Sequence, residues 1–243
     1  MPAKRSDRPE KQTPAPSSGT RLDRDTVVRA ALSLVDEAGL ERFTMRALAH
    51  RLDTYPATIY WHVGNRGEVL SAVVEAVFAE IELPDHGAVA WDEWLATLAC
   101  AYRAAMHRHP NLASYVATQA YARVTAPRLT EAILSALARG GFAGDELATA
   151  FNAFVGSVVG WVGAELSSIG DFGEGWSSAY ESQVLALPAD EFPTIAAHLP
   201  ALADRVFSLR WTSGAVQPME RSFVLALELW LDGLRSRSRQ REG

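Results

Sequence analysis

The chain reads FTMRALAHRLDTYPATIYWHVGNRGEVL from Phe43 to Leu70, and its reactive side chains suit the recognition of a charged duplex. Arg46 carries a planar fork of donors that matches guanine O6 and N7 together. Thr58, Tyr60, Trp61 and His62 follow within five residues. On an ordinary soluble surface that density of rings would be wasted. Against DNA, hydroxyls and ring nitrogens meet phosphates, and small or apolar faces meet thymine methyls. A surface Arg46 bonded only to phosphate is the plainer alternative.

Two short helices must position these groups. Thr44 can cap the first, because its hydroxyl accepts from amides that lack a partner at a helix start. Leu48, Ala49 and Leu52 give that helix one apolar face. Asp53 to Pro56 break it, and Pro56 suits the first turn of a second helix through His62. That helix is too short to persist alone. Two short helices on a tight turn read as a helix-turn-helix.

The runs Thr44-Met45-Arg46-Ala47-Leu48-Ala49, Pro56-Ala57-Thr58-Ile59-Tyr60-Trp61-His62-Val63 and Asn65-Arg66-Gly67-Glu68-Val69-Leu70 resemble the DNA-binding head of TetR-type repressors. Tyr-Trp-His-Val makes the likeness closest to the tetracycline-repressor branch. The strong match covers residues 24–72, about a fifth of the chain. It implies a guanine contact for Arg46 and phosphate or sugar contacts for Thr44, Thr58, Tyr60, His62 and Arg66. It also implies base reading by shape and methyl contact at Pro56 and Ala57. Trp61 is expected either in the groove or packed against the first helix of the head. Tyr55 and Pro56 depart from the tetracycline-repressor residues, so the operator should differ.

A chain of 243 residues with 48% hydrophobic content can bury a sizeable core in one or two domains. The formal charge of −6 argues against a generic nucleic-acid coat. Residues 1–70 hold 11 Lys/Arg and 9 Asp/Glu, whereas the remainder holds 12 and 20. A head less acidic than its body can approach phosphate by a few placed contacts. Cys100 stands alone, which fits a reducing compartment, and it is expected to be a buried, inert thiol. No apolar secretory segment follows the basic N-terminus, so a cytoplasmic location is expected.

No stretch alternates at period two, so the fold is expected to be all-α. Residues 1–20 read as a disordered arm, in which Lys4, Arg5, Arg8 and Lys11 alternate with Asp7 and Glu10. Residues 21–66 form the three-helix head, with a first helix from Arg21 to Ala38 started by Asp25 or Thr26 and stopped at Gly39. Residues 67–236 form a helical ligand-binding and dimerisation domain, and residues 237–243 a frayed basic tail. A helix from Arg66 to Leu83 is the expected lever between the two halves.

Two later helices look like dimerisation elements. Phe151, Val155, Val158, Val159 and Val162 lie on the first, with Gly156 and Gly160 four apart. Phe223, Leu227, Trp230, Leu231 and Leu234 lie on the second. Paired across a two-fold axis they would form a four-helix bundle, as the resemblance also implies. The 18 uncharged residues from Leu147 to Ala164 reach membrane-spanning length, but Thr149, Asn152 and Ser157 interrupt them and no basic flank orients them. No membrane partner is expected.

The resemblance implies an apolar effector cavity in the body. Glu82, Leu98, Tyr102, Met106, Tyr115, Phe151, Phe154 and Trp176 are its candidate lining, although such a stripe is more often plain core. Glu82, Leu98 and Tyr102 fall where tetracycline-binding relatives place His, Asn and Phe. The magnesium-holding His of those relatives is missing from Leu112 to Thr118, and Glu165 alone matches an acidic partner. A different, largely apolar or aromatic effector is therefore expected, with no metal and no cofactor. His107 and His109 point to different faces and are expected to be solvated. Residues 170–175 hold glycines but lack a phosphate loop's strand and Lys-Ser/Thr, and read as a loop near the cavity mouth.

These features together describe a homodimeric, ligand-responsive repressor of a palindromic site. An enzyme with an incidental helix-turn-helix lacks a catalytic constellation here. An architectural DNA-binding protein would not need the aromatic-rich body.

Overall fold

The computed structural model describes residues 22–85, 87–118, 127–167 and 175–239. Among them are eleven α-helices, one 3₁₀ turn and no strand. The N-terminal arm and the loop over residues 168–174 lie outside the described residues.

Helix α1 (Arg24–Arg42) starts three residues after the expected Arg21, with Asp25 and Thr26 inside its first turn. Asp23 is the cap, and its carboxylate accepts from the Thr26 amide at 2.8 Å. Gly39 takes φ +77°, where only glycine is unstrained, and bends the run; one further turn reaches Arg42. Helix α2 (Met45–Arg51) is capped by the Thr44 hydroxyl, which accepts from Ala47 at 3.0 Å. Helix α3 (Pro56–His62) begins with the expected proline. Val27, Ala31 and Val35 of α1, Leu48 of α2 and Ile59 of α3 are fully buried together with Val69, Leu70 and Val73 of α4 (Arg66–Ala79).

Helix α4 opens with a reciprocal cap. The Asn65 side chain accepts from the Glu68 amide, and the Glu68 carboxylate accepts from the Asn65 amide. The helix ends at Ala79 rather than Leu83, so the expected lever is one turn shorter.

The body follows as α5 (Trp91–Arg108), α6 (Pro110–Thr118), α7 (Pro127–Arg139) and α8 (Gly144–Leu166). Helices α9 (Trp176–Leu185), α10 (Pro193–Leu202) and α11 (Glu220–Arg239) complete it. Helix α11 continues three residues past the expected end of the body domain. Among the described residues α8 is the one helix long and apolar enough to cross a membrane. It packs instead on α5, α6, α7 and α11. No residue of α10 is buried, although its sequence is strongly apolar.

Helix α6 is wedged between α1 and α8. Gly163 makes the close approach possible: a Cβ there would lie 2.7 Å from the Ala117 Cβ. Gly160, one turn earlier, faces open space. Substitution of Gly163 by Val should therefore destabilise the fold by about 1–3 kcal/mol through overpacking. The measurement is denaturant unfolding of the variant beside wild type; an unchanged midpoint would show that α6 yields freely.

Candidate nucleic-acid interface

Ile59 is the only buried residue of α3. At about 100° per residue, positions 57 and 61 then point away from the core. Ala57 is exposed and Trp61 is 83% exposed, in edge contact with His62 at 4.8 Å. Packing of Trp61 on the first helix is thus corrected: Ile59 takes the inward place and the helical period turns Trp61 outward. Tyr60 is half exposed, and Thr58 and His62 are intermediate. Ala57, Tyr60 and Trp61 are therefore the exposed residues of α3, with Pro56, Thr58 and His62 partly so.

Arg46 is exposed on α2 and has no hydrogen bond or ion pair among the described residues. Its neighbour in type, Arg51, is occupied: it donates to Ser33 and is paired with Glu37. Those bonds from Arg51 and Ser33 hold the Glu37 carboxyl down at about 2. Thr44 spends its acceptor on the helix cap, which leaves its O–H for an outside oxygen. Arg66 also has partners inside the head. Its Nε donates to the Phe43 carbonyl at 3.1 Å and its Nη2 to the Leu40 carbonyl at 2.9 Å, and the guanidinium lies over the Phe43 ring. These bonds tie α4 to the head and use two of its five N–H donors.

A second tie joins head to body. His109 Nδ1 lies 2.9 Å from Asp36 Oδ2, and the Asn111 amide donates to the Val35 and Asp36 carbonyls. His109 is thereby no solvated histidine, because it sits in the seam between α1 and α6.

Neither is His107. It lies 3.4 Å from Glu165, inside a network that the pattern of single residues could not reveal. Arg103 donates through Nε and Nη2 to both oxygens of Glu165, at 2.9 and 2.7 Å, and pairs with Glu220 on α11. The Met219 amide adds a bond to Glu165 at 2.7 Å. Arg103 and Glu165 are 7% and 1% exposed. Burial pushes the Glu165 carboxyl up, but the Arg103 bonds, the Met219 amide and the nearby charges outweigh it and hold the group below its ordinary range. The one usable signal was a charged residue, Arg103, on the apolar stripe of α5.

The expected effector lining is only partly assembled. Glu82 is exposed beyond the end of α4, because that helix stops early. Leu98, Tyr102 and Met106 are packed core at 5% exposure or less, with Tyr102 in edge contact with Phe78. Tyr115 borders a cleft of about 660 Å³ between the end of α1 and α6. Phe154 borders a groove of about 560 Å³ between α8 and α11. Phe151 and Trp176 are half buried, the latter stacked on Tyr180. Cys100 is another correction: it is exposed on α5, where partial burial and Glu220 push its thiol up. Among the described residues no cluster of three His, Cys, Asp or Glu can hold a metal ion.

The dimer residues also divide. Val158, Val159, Val162, Phe223, Leu227, Leu231 and Leu234 are buried within the single chain. They seat α8 and α11 on the body and are corrected to core. Phe151, Val155 and Trp230 remain half buried, beside exposed Gly156 and Gly160. On α11 the outward apolar row is Val224, Leu225 and Leu229.

A helix-turn-helix whose reading face is free of the core, carried on an all-helical body, defines a DNA-binding transcriptional regulator. Residues 27–73 match the model for bacterial regulatory proteins of the tetR family, and residues 83–238 match that for the tetracyclin repressor-like C-terminal domain. The chain belongs to the TetR family. A helix-turn-helix-type transcriptional regulator of Saccharopolyspora erythraea is 32% identical over 194 residues, 80% of each chain. The crystal structure of the Streptomyces coelicolor TetR family protein ActR in complex with actinorhodin matches at 25% identity and TM-score 0.68, over 90% of this chain and 99% of that one. That of BioQ with its double-stranded DNA operator matches at 27% identity and TM-score 0.55, over 63% and 92%.

The Glu165 network carries a pH dependence of known sign. A carboxyl held low in the folded state stabilises it above the unfolded pKa, and that contribution is lost as pH falls through the folded value. The melting temperature of wild type should fall more steeply than that of Glu165→Gln as pH drops below the ordinary glutamate range. At neutral pH, Arg103→Ala should cost about 3–5 kcal/mol by leaving Glu165 buried and unpaired. Calorimetry across pH checks both; parallel pH profiles would remove the carboxylate from the account.

Proposed function

We propose that the protein is a repressor that binds a palindromic operator as a homodimer in the cytoplasm. A small, largely apolar or aromatic effector then releases it. One observation carries the DNA reading: α3 turns Ala57 and Trp61 outward, and the exposed Arg46 of α2 has no partner among the described residues. Each subunit sets α3 in a major groove, Arg46 takes a guanine, and Thr44, Thr58, Tyr60 and His62 hold phosphate or sugar. Arg66 adds to phosphate only what its carbonyl bonds leave free. BioQ, solved with its operator, supports this docking.

The dimer joins the α8 and α11 faces of two copies. The half-buried Phe151 and Val155, the bare backbone at Gly156 and Gly160, and the row Val224, Leu225 and Leu229 supply an apolar face that stays open among the described residues. Replacing Leu225 and Leu229 together by Glu should give a folded monomer with much weaker operator affinity, read by sedimentation and titration. A variant that stays dimeric would place the interface elsewhere.

The effector acts in the body, where Tyr115 and Phe154 border open clefts; ActR, solved with actinorhodin, supports a ligand role for a body of this kind. A shift of α6 reaches α1 through His109 and Asn111, and α4 through the shared core. Effector and operator affinities are then reciprocally linked.

The deciding experiment selects duplexes from a random pool at stated salt with wild type and Arg46→Ala in parallel. One palindrome should be enriched by wild type and blurred at one symmetric base pair by the variant, at a cost of about 1–3 kcal/mol. A folded dimer that enriches nothing would overturn the reading.

A further inference from the structure

We infer that Tyr55 is a specificity-determining residue: it reads one base pair in each half-site through its ring and phenol hydroxyl, at a position other than that of Arg46. The inference rests on the DNA-binding role above and adds a reader that the family motif does not assign.

Tyr55 closes the turn between α2 and α3, and its side chain is 81% exposed. Among the described large hydrophobic residues only Trp61 is more open to solvent. The ring therefore packs into no core. The side chain does not cap the helix either, although it stands at the capping position. Serine, threonine, aspartate or asparagine would serve the helix better there. Its hydroxyl has no hydrogen bond among the described residues. A tyrosine at this place contributes little to the fold that a smaller polar residue would not improve.

Its backbone is nevertheless held firmly. The Tyr55 carbonyl accepts from the Thr58 amide at 2.9 Å, and the Thr54 amide donates to the Ala49 carbonyl at 3.0 Å. Asp53 turns the chain with φ +48°. The ring is thus presented from a fixed backbone with little order left to impose. It stands beside the leading residues of the recognition helix, the part that meets base edges in proteins of this class. The next two residues, Pro56 and Ala57, have no side-chain donor or acceptor. Thr58 is short and half buried. A side-chain hydrogen bond to a base from this end must come chiefly from Tyr55. Its ring edge also suits a thymine methyl, and an amphipathic ring gains by leaving water while its hydroxyl keeps a polar partner.

The test uses the full chain as wild type, Tyr55→Phe and Tyr55→Ala in the same duplex selection, followed by titration on the selected site and its single-base variants. Equal melting temperatures should confirm that the exposed ring is dispensable for folding. Tyr55→Ala should lower discrimination by about tenfold at one symmetric base pair distinct from the Arg46-dependent one. Affinity for random duplex and the salt slope should stay unchanged, since no charge is removed. Tyr55→Phe should keep the apolar part of the preference and lose the share owed to the hydroxyl. The same motif from all three proteins would overturn the inference, and the exposed ring would then belong to some other surface. Equal weakening on every sequence would also overturn it, in favour of a backbone contact. A wild type that enriches no motif would sink the DNA reading itself, which is a separately visible outcome.

Discussion

Two helices of seven residues have too few internal hydrogen bonds to persist in water, so the reading surface depends on the core that α1 makes beneath them. Ile59 is the single anchor of α3, and it is fully buried against a core shared with α1, α2 and α4. Every outward side chain of α3 takes its direction from that one inward residue. The orientation of Trp61 follows from it, as does the freedom of Tyr60 and Ala57. The loop side is held by backbone bonds around Asp53 and Thr54, which relieve the reading residues of any need to hold the turn themselves.

The same α1 has a second partner. Its far end is bonded to α6 through Asp36 and His109 and through the two carbonyls that accept from Asn111. Helix α4 is fixed to the head by Arg66 and by its packing on α1. Head and body are therefore joined along two lines, and α6, pressed between α1 and α8, touches both the reading domain and the long helix of the body. Packed helices of this kind move as units, because close-packed interiors change between discrete arrangements more readily than they deform.

Buried charge organises the body next to this seam, since His107 beside Glu165 lies two residues before His109. Arg103 gathers Glu165 from α8 and Glu220 from α11 on one guanidinium, and the Met219 amide completes the arrangement. Such a network adds little net stability over apolar packing, but breaking it leaves a charge stranded. It thereby sets how α8 and α11 lie relative to α5. Those are the two helices whose outward apolar rows remain open, so the shape of that open face depends on a polar cluster hidden behind it.

The all-helical class, the helix-turn-helix, the Thr44 cap and Pro56 at the start of α3 were legible in the sequence, because each rests on local chemistry or on a period of a few residues. What lay beyond it depended on which elements touch. Phe223, Leu227 and Val162 have the composition of an interface and of a core alike, and only packing assigned them to the core. Arg66 and His109 looked like surface groups until α1 supplied carbonyls to one and a carboxylate to the other. Arg103 and Glu165 are 62 residues apart, a separation that no helical period spans. The sequence by itself determined the elements and the chemistry of the reading helix. The tertiary structure decided which charges are paired and which apolar faces are spent, since both depend on contacts between residues far apart along the chain.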